Sequence, residues 1–301
     1  MNMDKVVKLK PIIKSYIWGG NYFKSYRPGD YENISESWEL SVREKDRVQI
    51  AGSEKSLFDI LTKEDVGPNS DRFPYFPLLI KLIDAEDNLS VQVHPSDAYA
   101  LKNEHSFGKT EMWHIIDADK DAGIYVGLNK DYTKGEIEEK LEDSSILTAL
   151  NFYKVHPGET YLIKAGTIHA IGKGVRLIEI QQNSDLTYRL YDYLRKDKNG
   201  NYRELHIAKA LEVIDYHKYL HETIKGDVLA DNQYFKVLRK EVKGELRINA
   251  NQGSFISFTF IDGEGMVDDI PFEKFDTFFL PNKKSCVIKG NGVVVFSTIN
   301  K

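Results

Sequence analysis

The sequence predicts a mainly β protein, a sandwich or barrel with short helical additions and a second, smaller β unit behind it. Three observations carry that expectation. Short apolar stretches recur along the chain, broken by Gly, Pro, Asn and Asp. Several of them alternate residue by residue, the period of a strand with two unlike faces. Helical patterns are few and brief. With 301 residues, of which 41% are hydrophobic and 12% aromatic, the chain can bury a sizeable core in one large or two modest domains.

Strands are expected at 38–42, 78–83, 89–93, 112–117, 161–164 and 175–181. Between them, Ser56 can cap a helix over 57–62, and Ser96 one over Asp97–Asn103, directly after His94-Pro95. Thr133-Lys134-Gly135-Glu136 fits a capping box before 137–141. In 205–216, Leu205, Ala208, Leu211 and Ile214 fall at helical spacing and read as a buried stripe. From about Gln233 the chain turns strongly β-like, with Phe255, Phe258, Phe260, Phe278 and Phe279 as core candidates. Asp262-Gly263-Glu264-Gly265 reads as a turn. A boundary near residue 230 divides the chain into 1–230 and 231–301. The stretches 156–166 and 275–282 share a rhythm of turn, strand and turn. Only the first is followed by a histidine, His169, so the later unit reads as a metal-free version of the earlier one.

Net charge is −5 and no basic stretch stands out, so nucleic acid is not an expected partner. No segment approaches the ~18 consecutive apolar residues of a membrane helix, and the first residues lack the apolar core of a secretory signal. A single cysteine, Cys286, excludes an internal disulfide and a thiolate-rich zinc site, and suits a cytoplasmic protein. Any metal would have to use His, Glu, Asp or Gln.

Ser90-Val91-Gln92-Val93-His94-Pro95 is the most informative segment. Strand alternation sends Leu89, Val91 and Val93 one way and Ser90, Gln92 and His94 the other. An imidazole and an amide on one face suit the wall of a small barrel holding a metal. Glu111 and His169 are the partners found elsewhere. Alternation places Glu111, Trp113 and Ile115 on one face and Met112, His114 and Ile116 on the other, so Glu111 as a ligand excludes His114. Gly166 allows a tight turn before His169. Each residue also has a plain structural reading: a solvated carboxylate for Glu111, a turn-bonding ring for His169. Two imidazoles, a carboxylate and an amide oxygen suit Zn²⁺ with a position open to water or substrate, and also Fe²⁺, Mn²⁺ or Co²⁺.

At these residues the chain resembles the type I mannose-6-phosphate isomerases, a cupin family. The matching pieces are Tyr16-Ile17-Trp18-Gly19-Gly20 and the stretches 76–81, 89–95, 109–111, 165–170 and 179–189, which span roughly the first two thirds. The resemblance implies a cupin-type jelly-roll barrel with helical additions, followed by a smaller jelly-roll-like β domain. It implies one Zn²⁺ per chain held by Gln92, His94, Glu111 and His169. Arg189 matches the family's active-site arginine, and Lys109, Lys81, Ser90, Trp18, Glu179 and Asp185 match positions lining the substrate pocket. Larger members carry a lysine six residues beyond that arginine. Here Arg195 stands there, able to bind phosphate but a poor proton acceptor.

The implied reaction interconverts mannose 6-phosphate and fructose 6-phosphate through an enediol. Arg189, Lys109 and Glu179 are the candidate catalytic residues, with Trp18, Lys81, Ser90 and Asp185 on the substrate. Lys81 sits inside an apolar run, where an ammonium needs a partner. The partner expected is a small phosphorylated sugar, with the chain a monomer or homodimer. Two other readings compete. A non-catalytic sugar-phosphate-binding cupin would keep the pocket without a proton carrier. An Fe²⁺ oxygenase on the same fold would consume oxygen.

Overall fold

Strand Leu78–Ala85 is buried at every position, and the reason sets the layering of the molecule. In the computed structural model, which describes residues 3–197, 199–224 and 226–300, this strand lies inside a six-stranded antiparallel sheet. The order is Thr160–Ile163, Glu111–Ala118, Val175–Gln182, Leu78–Ala85, Glu36–Leu40, Ile12–Lys14. Both faces of that sheet are covered, so its central strands read as continuous apolar runs. Leu78, Ile80 and Leu82 enter one core with Met112, Ile178 and Ile180. Ile83 and Ala85 enter another with Trp113, Ile115, Val175 and Leu177.

The second core is the interior of a barrel. Its far wall is a five-stranded antiparallel sheet, in the order Tyr188–Tyr191, Val91–Val93, His169–Ile171, Gly123–Leu128, Leu150–Lys154. The outer face of that wall carries Val91, Val93, Leu128, Ala170 and Leu190. These pack on Ile137, Ala210, Leu211 and Ile214, from and beside the helices Lys134–Glu142 and Ile207–Val213.

The first core is shared with an eight-stranded sheet built from the end of the chain. Its main path is Val228–Asp231, Lys236–Asn249, Ser285–Thr298, Ile256–Val267, Thr277–Leu280, Val7–Lys10, Gln49–Ile50, with Ile270–Phe272 beside Ile256–Val267. Alternation again divides the residues. Phe255, Phe279, Val237 and Val295 face the six-stranded sheet, while Phe258, Phe260, Phe278, Val294 and Phe296 form a separate core on the other side. The chain's first strand, Val7–Lys10, pairs with Thr277–Leu280, so the start of the chain is woven into the sheet made by its end.

Several local expectations are corrected. Asp262–Gly265 is not a turn but the middle of strand Ile256–Val267. Gly263 lies opposite Gly292, and a Cβ at Gly263, where φ is +97°, would stand 2.1 Å from the Asn291 carbonyl. The glycines there let two strands pass closely rather than reverse the chain. The stripe over 205–216 is shifted: Leu205 is exposed, as is Ala208, and the buried residues are Ala210, Leu211 and Ile214. The helix begins only at Ile207, which places its inward face on Ile207, Ala210, Leu211 and Ile214. Thr62, expected at the end of the helix capped by Ser56, instead caps the next helix, Lys63–Val66. Leu89 lies outside the strand that begins at Val91 and joins the barrel interior rather than the Val91 and Val93 face.

His114 faces away from the barrel interior, and its Nδ1 lies 2.8 Å from Thr160 Oγ1. Burial, helped by the charge of Arg239, pushes its pKa down to about 4. The unfolded chain then binds a proton that the folded one refuses, so stability present above about pH 6.5 is lost as pH falls toward 4. The loss at pH 4 amounts to about 3 kcal/mol. His114→Gln keeps a partner for Thr160 and is expected to flatten the fall of melting temperature between pH 6.5 and 4. An unchanged slope in that variant contradicts the assignment.

Candidate active site and metal centre

Cross-strand register brings the polar residues together. On the five-stranded wall, Gln92 lies opposite His169 on one side and Arg189 on the other. On the facing wall, Trp38, Lys81, Glu179 and Trp113 form one row across four strands. Residues directly opposite in a sheet share a face, so each row projects as a unit. Glu111 enters from the strand that carries Trp113, opposite Gln181.

His94, Glu111 and His169 converge in the interior, with ligand atoms all within 4.8 Å of one another. His94 Nε2 is 3.4 Å from Glu111 Oε2, and His169 Nε2 is 3.3 Å from Glu111 Oε1. All three residues are buried. The local chain explains the convergence. Gly166, at φ +88°, makes the tight turn before His169, and its N–H donates to the His94 carbonyl at 2.9 Å. Each ring is oriented from behind, His94 Nδ1 at 2.8 Å from the Leu186 carbonyl and His169 Nδ1 at 2.8 Å from that of Thr167. With the proton on Nδ1, each Nε2 lone pair points into the cluster.

The electrostatics suit a cation. Burial pushes the His94 pKa down to about 3, with the Lys109 charge adding to it, and burial lowers that of His169. Both rings are therefore neutral, the form that binds metal. Burial alone would raise the Glu111 carboxyl, but the Lys109 ammonium beside it holds it well below the usual carboxylate range. His94 Nε2 and both Glu111 oxygens are buried without a hydrogen-bond partner among the described residues. Buried acceptors without a hydrogen bond are costly; the Lys109 ammonium, 3.1 Å from Glu111 Oε2, faces one of them, and a cation set between the rings and the carboxylate would satisfy all three. Gln92 is the fourth neighbour, its Nε2 3.3 Å from His169 Nε2. Turning that amide over would present its oxygen instead. The residues fit a divalent metal ion.

The cluster lies behind a cavity of about 370 Å³. Gln92 and Lys109 line the cavity and also touch the cluster, Gln92 at His169 and Lys109 with its Nζ 3.1 Å from Glu111 Oε2. Ser90, Lys81, Glu179 and Arg189 line it as well. Lys81 has the partner its apolar setting requires, Glu179 Oε1 at 3.1 Å, with Glu36 Oε2 at 3.9 Å. These carboxylates and Glu111 outweigh burial and raise the Lys81 pKa. Glu179 Oε2 accepts from Trp113 Nε1 at 2.9 Å. Arg189 pairs with neither Asp185 nor Asp192: its Nε donates to Ser90 Oγ at 3.2 Å and its Nη1 to the Glu204 carbonyl at 2.7 Å. Trp18 is buried against the cavity and stacks on Tyr16 with centroids 5.5 Å apart. Asp185 reaches the cavity from an exposed position, paired with Arg43.

Residues 6–121 match the family model for the phosphomannose isomerase type I catalytic domain. Over 298 residues the chain is 36% identical to mannose-6-phosphate isomerase ManA of Bacillus subtilis, covering 90% of this chain and 91% of that protein. The chain belongs to the type I mannose-6-phosphate isomerases, a family of enzymes. It is also 33% identical over 304 residues to the mannose-6-phosphate isomerase of Streptococcus mutans, covering 95% of each. The crystal structure of the mannose 6-phosphate isomerase from Bacillus subtilis matches with a TM-score of 0.87 and 32% identity, over 98% of this chain and 99% of that one. The architecture is the cupin type expected.

Within this isomerase fold, Arg195, by its chemistry able to bind phosphate, is engaged elsewhere. Arg195 does not line the cavity. Its guanidinium is held by Asp87 at 3.1 Å and Asp192 at 2.6 Å. Four other charged or aromatic residues line the cavity without having been singled out as site residues: Tyr16, Glu36, Trp38 and Arg203. Tyr16 opens the Tyr16-Ile17-Trp18-Gly19-Gly20 motif, and Trp38 lies in an expected strand. Nothing local marks Glu36 or Arg203. Among the described residues, no helix is long and apolar enough to cross a membrane.

Proposed function

We propose that the chain is a zinc-dependent enzyme interconverting mannose 6-phosphate and fructose 6-phosphate through an enediol. The observation that carries this reading is the buried His94, Glu111 and His169 cluster, with its unpartnered acceptors, set behind a cavity lined by cations. His94, Glu111, His169 and Gln92 would hold one Zn²⁺ per chain. Such an ion supplies Lewis acidity, polarising a sugar oxygen by an amount worth several kcal/mol in similar sites.

The remaining work falls to side chains. Trp113 fixes one oxygen of Glu179, and Lys81 stands at the other. A carboxylate held in that way can take a proton from one sugar carbon and return it to its neighbour. Lys109 keeps positive charge on the cavity floor, favouring the electron-rich enediol over the neutral sugar. Arg189 offers its fork to the enediol or the phosphate. Ser90 Oγ accepts from Arg189, so its own hydrogen remains to donate to the substrate. Trp18 and Asp185 border the sugar. The unit from about residue 231 serves as a metal-free β partner covering the outer face of the six-stranded sheet. A single buried cysteine suits the cytoplasm.

The reading is tested by incubating metal-replete protein with mannose 6-phosphate in D₂O. The expected result is fructose 6-phosphate in a coupled assay, with deuterium appearing at C1 or C2 over repeated turnovers. Turnover without any exchange removes the enediol. Absence of turnover removes the isomerase.

A further inference from the structure

The cations of the cavity are unevenly paired. Lys81 lies between Glu179 and Glu36, and Lys109 lies against Glu111. Arg189, by contrast, has no carboxylate within ion-pair distance among the described residues, and its guanidinium bonds only Ser90 and a backbone carbonyl. Arg203 stands beside it. The segment carrying Arg203 runs along Arg189, with the Glu204 carbonyl accepting from Arg189 Nη1 and His206 N donating to the Arg189 carbonyl at 2.7 Å. A compact turn delivers that segment: Asp197 Oδ1 accepts from the N–H groups of Asn199 and Asn201, each at 2.8 Å.

Arg203 is itself poorly compensated. The carboxylate it faces is Asp192, 3.6 Å from its Nη1 and already engaged by Arg195 at 2.6 Å. Its Nη1 is buried without a hydrogen-bond partner among the described residues. Two guanidiniums side by side repel one another, and after burial Arg203 is the strongest influence lowering the Arg189 pKa. The uncompensated positive charge of the cavity is therefore concentrated at Arg189 and Arg203, next to the Ser90 hydroxyl. A dianion placed beside Lys81 would meet Glu36 and Glu179. Placed beside Arg203 it would meet a guanidinium nitrogen without a hydrogen-bond partner and, in Arg189, a second guanidinium with no carboxylate in ion-pair distance among the described residues, groups well suited to phosphate oxygens.

We propose that Arg203, with Arg189 and Ser90, forms the subsite for the substrate's phosphate, and that Arg203 selects phosphorylated over unphosphorylated sugar. Asp192 positions it without fully neutralising it. The proposal deepens the isomerase reading and rests on it for the identity of the sugar. It assigns to Arg203 the role that Arg195 is too firmly paired to take.

Metal-replete wild-type, Arg203→Gln and Arg203→Lys proteins test it, with mannose 6-phosphate as substrate and inorganic phosphate as competing anion. Metal content and melting temperature confirm folding. Losing charge-assisted bonds to a dianion is expected to raise KM in Arg203→Gln by ~10–100-fold. Phosphate inhibition should weaken by a similar factor, and lysine should restore part of both. An unchanged KM with unchanged phosphate inhibition overturns the proposal, as does a loss confined to kcat. Direct calorimetric titration with phosphate keeps this outcome separate from that of the activity itself. If the wild type binds phosphate through Arg203 but does not isomerise, the reaction is misassigned and the anion site stands.

Discussion

Glu111→Gln is expected to lower kcat/KM by ~10³-fold or more, about 4 kcal/mol of lost transition-state stabilisation. Bound metal should fall with it. Glutamine preserves the shape of the side chain, so the barrel need not collapse. Two things change. The cluster loses its only anionic donor, leaving neutral imidazoles and amides to hold a dication. Lys109, whose ammonium stands 3.1 Å from Glu111, loses its carboxylate. A buried charge without a partner is strongly unfavourable, so the variant is expected to lose stability along with its metal. Metal content by elemental analysis and kcat/KM on the same preparation check this. Normal values for both would mean that Glu111 is a structural carboxylate serving Lys109.

Glu179→Gln has a different expected signature. If Glu179 carries the carbon-bound proton, kcat falls by ~10²–10⁴-fold, while metal content stays at the wild-type level. Trp113 can still donate to the amide oxygen, and Lys81 retains Glu36 at 3.9 Å. The loss should therefore sit in kcat, with a modest change in KM. Solvent exchange at C1 and C2 should slow in parallel with turnover, because both need the same proton transfer. A variant with wild-type kcat would transfer that role elsewhere, and Lys109 is the remaining cavity group near the cluster.

The contrast between these variants follows from what each side chain touches, and much of it is legible in the sequence. Period-two alternation puts Gln92 and His94 on one face, chooses Glu111 over His114, and places Lys109 beside Glu111. Those statements concern residues a few positions apart, where strand geometry alone decides direction. Lys81, an ammonium inside an apolar run, calls for a partner, but the partners lie in other strands: Glu179, some hundred residues later, and Glu36. The layering is less legible. A strand buried on both faces, as Leu78–Ala85 is, carries no alternation to say which core each residue enters. Glycines mislead where they serve close strand passage, as at Gly263, rather than a turn. Arg203 is hidden for a related reason. It lies on a polar stretch after a turn, and only the return of that stretch alongside Arg189 gives it a place in the cavity.

One metal ion at His94, Glu111 and His169 is expected to make this cavity an isomerase. Metal-stripped protein titrated with Zn²⁺, with fructose 6-phosphate formation followed at each addition, tests it most directly. The expected result is activity that is absent at the start, rises in proportion to bound zinc, and levels off at one ion per chain. Full activity in the stripped protein, or none at saturation with any of Zn²⁺, Mn²⁺, Co²⁺ or Fe²⁺, would contradict it.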